Sequence, residues 1–567
     1  MNDPSYFEKV KFDFPSSIPN PINSLFNDPL PRKNSIQASN NNDLSESKMD
    51  DRPGQIFTFV QISDLHISKF AKSGGVMHLL LFLKQALPII SPRHLFITGD
   101  LTDAKDVAGL SSAQQLEEWE SYNSILNDFN LRERNNGSFA FDQRGNHDCF
   151  NVESWDSYQN FYSKFSLSKT TGYVLKSQFN NKNYCFVATD GCPKRGFGRP
   201  MNFFGYLNSN DVKNTADAID THCRSSEHVF MLNHYPTAVM RYGNLKRNVD
   251  GHDLTLNKVS AFLCGHLHLL AGGIGDDLKA QRKDFLELEL GDMKLNALYR
   301  IFAIDNGIVS FVDVTLPIQK LPLANPEPSD PLSVIHSDIF KNGGIISQPP
   351  IILVTNPKET KYFIKSREDF DLIVKSKSIR MLIYSFEKIE SVSAYIDSML
   401  IGHPQTKLEF VKVSQRSAKF ANSNYEPLYT IDWDPSLYMD SKTHNLTIVA
   451  VSSSGENQKL TSYKTIMFNL DVKKAPLPLN NFNSGGFVMG IDFYKTFKNM
   501  SFILYILGVF VFLLVPKLIS EQFLYKIRSE MQPIAENTDF CWKHLLETNW
   551  KTTKITILAF WIVGCDF

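Results

Sequence analysis

The chain has no CxxC pair among its seven cysteines, so a thiolate zinc site is not expected. It also lacks any dense lysine or arginine run. Lys and Arg number 59 against 60 Asp and Glu, a formal net charge of −1. That balance gives no electrostatic ground for a nucleic-acid partner, which calls for a strongly basic face. No export signal is visible at the amino terminus: Glu8, Lys9 and Lys11 stand where its apolar core would lie. The cysteines show no regular framework. Five of them (Cys149, Cys185, Cys192, Cys223 and Cys264) fall within one stretch, and buried or free thiols are the expected state, with a disulfide among the five as the alternative.

What is present is ordinary globular material. The 567 residues are 43% hydrophobic and 21% charged, enough for three or four segments at about 150 residues each. Residues 1–55 are polar and punctuated by proline, and are expected to be disordered. From residue 56 the pattern changes. Residues 56–62 and 94–98 read as buried strands, 76–90 as an apolar helix, and 111–129 as a helix capped by Ser111 or Ser112. Short strands follow at 184–189, 228–232 and 261–264, then a hairpin turning at Asn306-Gly307. Alternating strand and helix argue a layered α/β domain over 56–316.

A proline-rich linker covers 317–349. Strand-like runs at 351–354, 381–384, 408–413 and 446–451, with no strong helix between them, predict a small β-sandwich over 350–475. A second linker (476–499) leads to residues 500–519, which carry no charge before Lys517 and are long enough for a transmembrane helix at about 20 residues. The tail, 520–567, ends in an apolar run at 555–563 that is too short to span and reads as a truncated second membrane segment. The side of the membrane stays open. Lys517, Lys526 and Arg528 outnumber Lys495 and Lys498 around the helix, sequons stand at Asn136 and Asn445, and no export signal is seen.

Five short blocks end or follow predicted strands: Asp64-Leu65-His66, Gly99-Asp100, Gly145-Asn146-His147-Asp148, Asn233-His234, and Gly265-His266-Leu267-His268. Each offers oxygen or imidazole donors, the types that suit Zn, Fe and Mn. Strand ends on a rigid sheet let such donors converge from distant parts of the chain.

In kind and order this set resembles the calcineurin-like metallophosphoesterases, whose pattern is DxH, GD, GNHD, H and GHxH. The resemblance implies a four-layer α/β sandwich holding two metal ions. It assigns Asp64, His66 and His268 to one, Asn146, His234 and His266 to the other, and Asp100 as a bridge. The physical logic agrees. Two divalent cations about 3.5–4 Å apart need an anion between them, and together they activate a water for in-line attack on phosphorus. Neutral Asn146 keeps the site from repelling a phosphate, and Gly99, Gly145 and Gly265 permit tight turns that aim the ligands inward. His147 is the candidate general acid, with Asp148 expected to hydrogen-bond its other ring nitrogen and raise its pKa; a purely structural place for His147 is the plainer alternative. Asp103 is expected to cap a turn, His78 and His94 to pack, and Cys149 to pack beside the acid. His252, between Asp250 and Asp253, is a weaker candidate for reaching substrate.

A phosphoesterase domain, then a β-domain opened by Val354-Thr355-Asn356-Pro357-Lys358, then a membrane helix is similar to the transmembrane protein 62 family, as is Asn233-His234-Tyr235-Pro236-Thr237. That family has further carboxy-terminal membrane helices. The expected function is a membrane-tethered hydrolase of a phosphate ester. The alternative is a non-catalytic membrane scaffold using the same fold; a nuclease is disfavoured by the charge and the helix. Selectivity is expected in loops 192–204 and 241–254.

Overall fold

The computed structural model describes residues 7–11, 49, 56–70, 75–199, 201–243, 258–268, 278–282, 285–317, 347–402, 406–407, 427–454, 458–471 and 484–531. His252 and its neighbours, the strand expected at 408–413 and the apolar run at 555–563 lie outside these. The chain divides into two compact units, Met1–Tyr494 and Lys495–Phe567.

Two sheets form the amino-terminal part of the first unit. In one, β1 (Phe57–Ile62), β2 (His94–Ile97) and β3 (Ala140–Asp142) run parallel, and the antiparallel hairpin Leu298–Asp305 and Ile308–Thr315 extends the sheet beyond β1. In the other, β4 (Lys182–Thr189), β5 (His228–Leu232) and β6 (Ala261–Cys264) are parallel neighbours. Strands buried on both faces need continuous apolar sequence rather than alternation, which is how Phe57-Thr58-Phe59-Val60-Gln61-Ile62 reads. One face of β1 and β2 (Val60, Ile62, Leu95, Ile97) packs on the helical run 75–90 and on helix Leu116–Asp128. The other face (Phe57, Phe59, Phe96) meets Phe186, Phe230 and Leu263 of the second sheet. That sheet's far face (Val187, Val229, Met231, Phe262) covers Ile219 of helix Ser209–His222.

Several expectations need correction. Phe7–Lys11, inside the segment read as disordered, pairs antiparallel with Gly172–Phe179; an open sheet edge offers backbone groups to any short extended segment. The helix expected from 111 begins at Leu116 after Gln115, because the Ser111 hydroxyl donates to Asp106 and the Ser112 hydroxyl to Asn151 instead of capping. Four cysteines are paired, Cys149 with Cys192 and Cys185 with Cys223, and Cys264 alone is free among the described residues. Sequence spacing does not reveal which thiols a fold brings together. Helices Ser484–Gly490 and Phe493–Val509 occupy much of the stretch expected to be a linker, 476–499.

The β-rich part builds two four-stranded antiparallel sheets around one core, with Ile352, Met381 and Ile431 facing Val392, Ile448 and Phe468. Helix Phe370–Lys375 interrupts it. Ile351, Leu353, Leu382 and Leu428 belong to the same core as Val312 and Leu316, so this part docks on the hairpin Leu298–Thr315. Fully buried Arg380 and Asp305 pair across that junction at 2.8 Å. Separately, Phe493–Phe523 is long and apolar enough to cross a membrane, with its apolar side chains exposed.

Candidate metal centre

Each donor block sits just beyond a strand's carboxyl end: Asp64 and His66 after β1, Asp100 after β2, Asn146 to Asp148 after β3, His234 after β5, and His266 and His268 after β6. Backbone hydrogen bonds between these loops, Asp64 N–H to Gly99 C=O (3.0 Å) and Gly265 N–H to His234 C=O (2.9 Å), lock them together. Five of the donors have positive φ: Asp64 (56°), His66 (47°), Asp100 (51°), His266 (86°) and His268 (57°). Left-handed backbone costs a non-glycine residue about 1–2 kcal/mol, and such outliers gather where surrounding structure holds a site in place. Gly99 has φ 93°, and a Cβ there would lie 2.5 Å from His234 Nδ1. Gly145 and Gly265 serve closeness rather than turning, since a Cβ would come within 2.2 Å of Asp100 Oδ1 and Asp64 Oδ2 respectively.

The donor atoms fall into two groups. In the first, His268 Nε2 lies 2.8 Å from Asp64 Oδ1 and 3.2 Å from His66 Nε2, which is 3.5 Å from Asp100 Oδ2. In the second, Asn146 Oδ1 lies 3.0 Å from His234 Nε2 and 2.9 Å from His266 Nδ1, and His234 Nε2 is 3.3 Å from Asp100 Oδ1. Asp100 thus turns one carboxylate oxygen to each group. Asp64, His66, Asp100 and His268 could hold a metal ion as they stand.

Three rings have their other nitrogen already committed. His66 Nδ1–H donates to Asp103 Oδ1 (3.0 Å), His234 Nδ1–H to the Thr98 carbonyl (2.8 Å), and His266 Nε2–H to the Phe203 carbonyl (2.9 Å). The lone pair of each ring therefore points inward, the arrangement a metal-ligating histidine needs. Burial disfavours charge on His66 and His234. Even so, Asp103, Asp64 and Asp100 around the first, and Asp100 and Asp64 around the second, lift both pKa values to about 9. That carboxylate charge is what a bound cation would neutralise. These donors fit a divalent or transition metal.

His66, Asp103 and His147 also lie close enough to suggest a metal. The His66 Nδ1–H and the ammonium groups of Lys294 (2.9 Å) and Lys105 (3.1 Å) crowd that carboxylate instead. It acts as an anionic support for the rings.

His147 departs from expectation. Its Nδ1–H donates to the Asp103 carbonyl at 2.6 Å, not to Asp148. The Asp148 carboxylate accepts from the backbone N–H groups of Leu101, Thr102 and Gly145, tying two ligand loops together. Burial then pushes the His147 pKa down to about 3, opposite to the rise expected from an Asp148 partner. Its Nε2 faces Asp100 Oδ2 at 3.9 Å. His78 and His94 are buried on backbone and hydroxyl partners, as packing residues would be.

Sequence reading gave Asp103 too small a part and missed Asp292, whose Oδ2 lies 3.8 Å from His268 Nδ1. A signal was there: Gly291-Asp292 follows strand Leu286–Glu289 just as Gly99-Asp100 follows β2. A cavity of about 280 Å³ opens over the donors, with Phe150, Arg199, Asn202 and Phe203 around it. Three of these, Arg199, Asn202 and Phe203, come from loop 192–204, one of the two loops in which selectivity is expected; residues 244–254 of the other lie outside the described structure.

A family model described as calcineurin-like phosphoesterase matches residues 57–270, and one described as the TMEM62 Ig-like domain matches 346–472. Transmembrane protein 62 of Mus musculus is 28% identical over 434 residues, 76% of this chain and 57% of that protein. A protein of Arabidopsis thaliana named as a metallophosphoesterase is 29% identical over 308 residues, 46% of this chain and 41% of that protein. The chain thus spans about half the length of the curated relatives it matches. The calcineurin-like phosphoesterase YfkN of Bacillus subtilis, at 10% identity, covers 51% of this chain and 97% of its own with a TM-score of 0.29, too slight a likeness to argue from. With the family models falling on the donor-bearing sheets and on the β-rich part in turn, the chain belongs to the calcineurin-like metallophosphoesterase superfamily and carries a TMEM62-type Ig-like domain.

Proposed function

We propose that the chain is a membrane-tethered phosphoesterase with a dinuclear metal centre. Asp64, His66 and His268 hold one ion, Asn146, His234 and His266 hold the other, and Asp100 bridges them. The observation that carries this reading is the placement of the two Asp100 oxygens, one toward each donor group. The layering of helix, sheet, sheet and helix fits the four-layer sandwich of such enzymes, with the domain ending near 316 and an Ig-like sandwich over 350–475. When bound, Zn, Fe or Mn supplies Lewis-acid charge for the phosphate and makes a water acidic enough to attack it.

The protein's own part is positioning. The rings of His66, His234 and His266 are held by their outer nitrogens, so the donor cage is ordered before any ion enters. His147, with Nδ1–H committed to the Asp103 carbonyl, can carry a further proton only at Nε2, on the cavity side. A phosphate's negative charge raises the proton affinity of that nitrogen, which then donates to the departing alkoxide. Asp148 contributes by fixing loops rather than by handling protons. For the topology, the two disulfides support a globular unit facing an oxidising compartment.

The test uses metal-replete full-length protein. Wild type is expected to hold two transition-metal ions per chain and to hydrolyse an aryl phosphate. Asp100→Asn should lose at least one ion and about 10²-fold or more of the turnover. Wild-type protein that holds no metal would sink the reading.

A further inference from the structure

A loop that lines the cavity, and a second loop bonded to it, expose large apolar side chains. In loop 192–204, Phe197 is 51% exposed and Met201 72% exposed, and Arg195 and Arg199 of the same loop are exposed as well. A second loop carries Val107 and Leu110, each 82% exposed. Arg199 joins the two, donating from Nη1 to the Gly109 carbonyl (2.7 Å) and from its backbone N–H to the Ser112 hydroxyl (3.0 Å), and Arg199 also lines the cavity. Single exposed apolar residues are common on soluble proteins. Four large ones on two loops that Arg199 ties together beside the opening, with Arg195 on one of them, are a grouping that calls for a partner.

The start of the apolar helix is linked to the cavity lining by ring contacts. Val488 and Met489 pack with Leu207, Tyr235 and Leu267, the last of these lying between His266 and His268. Arg282 Nη2 donates to the Met489 carbonyl at 2.8 Å. Tyr494 contacts Phe204 (ring centroids 5.9 Å), Phe204 contacts Phe203 (5.2 Å), and Phe203 contacts the donor ring of His266 (5.1 Å). The Arg241 guanidinium covers Tyr494 at 4.8 Å. Three ring contacts therefore separate a metal-donor imidazole from the second residue of the span Phe493–Phe523.

We infer that the cavity mouth rests on a lipid surface, and that the phosphate ester it admits is borne by a membrane lipid. This rests on the phosphoesterase reading above. Phe197, Met201, Val107 and Leu110 enter the interfacial region, while Arg195 and Arg199 meet anionic headgroups, a pairing of apolar and basic side chains that suits such a surface. The lipid phosphate reaches the donor cage while its acyl chains stay in the bilayer. In the reaction, the oxygen of one water forms a new bond to phosphorus and the lipid ester P–O bond breaks. The lipid alkoxide takes a proton and leaves as the alcohol.

Full-length metal-loaded protein would be reconstituted in phosphatidylcholine vesicles doped with phosphatidic acid or phosphatidylglycerol. Turnover of these lipids would be compared with turnover of a soluble aryl phosphate. Wild type is expected to act on at least one lipid, and F197S/M201S to lower the ratio of lipid to aryl-phosphate kcat/KM by roughly tenfold or more. V107S/L110S, made separately, should move the ratio the same way and guards against a folding defect in the first pair. Aryl-phosphate turnover with no lipid turnover, or a ratio that neither pair changes, overturns the inference and leaves the phosphoesterase reading standing. Loss of both activities in wild type would instead bring down that reading and the inference together.

Discussion

Asp103 shows what a single residue adds that its motif does not announce. Its carboxylate fixes His66, and its carbonyl fixes His147. Asp103→Asn keeps the carbonyl and removes the anion, so the two tasks separate. We expect metal affinity to fall about 10–100-fold, the usual cost of losing an outer partner of a ligand. Turnover at saturating metal should change far less, because the His147 contact survives. A metal titration read by both binding and activity checks this, and unchanged affinity would reduce Asp103 to a loop residue. The convergence of the seven candidate side chains was legible, since oxygen and imidazole groups beside glycine at strand ends leave few other readings. The partner of His147 was not, because a carbonyl that accepts a hydrogen bond has no residue identity. The disulfides were hidden for a related reason: Cys149 and Cys192 are 43 positions apart, and only the fold brings them together.

Among the elements, strands were easier to read than their edges. The buried runs of β1, β2, β5 and β6 carry enough apolar sequence to declare themselves, and the hairpin announced its turn with Asn306 (φ 52°) and Gly307 (φ 82°). Phe7–Lys11 is short and polar by comparison, so its strand character comes from the edge it joins rather than from its own side chains. The junction between the donor-bearing sheets and the β-rich part could not be read at all. Its central pair, Asp305 and Arg380, lies 75 positions apart in strands that look apolar. Asp305 also accepts from the Thr355 hydroxyl (2.6 Å), and Lys358 reaches both Glu368 and the Val309 carbonyl. Arg380→Met would leave the Asp305 carboxylate buried without its ion partner, at a cost of about 3–5 kcal/mol. Adding Asp305→Asn should recover part of that loss. Denaturant unfolding followed by the fluorescence of buried Trp119 and Trp433, one in each part, should show one transition in wild type and two in Arg380→Met. Coincident transitions in both proteins would mean the pair does not couple the parts.

At the scale of the whole molecule, an apolar helix, a candidate metal cage and two disulfides have to share one topology. Cytosolic reductants keep most thiols reduced, so Cys149–Cys192 and Cys185–Cys223 together fit an oxidising compartment. A globular unit folded there also meets the machinery that glycosylates Asn-x-Ser/Thr triplets. Asn136-Gly137-Ser138 and Asn445-Leu446-Thr447 both present exposed asparagines, the first at a left-handed turn position (φ 54°) and the second on strand His444–Ser454. Both surfaces have room for a bulky glycan. Asn499-Met500-Ser501 lies on the apolar helix itself and serves as an internal control. The full-length protein expressed in eukaryotic cells is therefore expected to gain mobility on treatment with peptide N-glycosidase. The shift should shrink with Asn136→Gln or Asn445→Gln and vanish when both are changed, while Asn499→Gln leaves it intact. In the same cells Cys149, Cys185, Cys192 and Cys223 should resist alkylation until a reductant is added. Free alkylation of all four with no glycan on either asparagine would place the globular unit on the cytosolic face, and the cage would then meet a different leaflet and a different set of lipids.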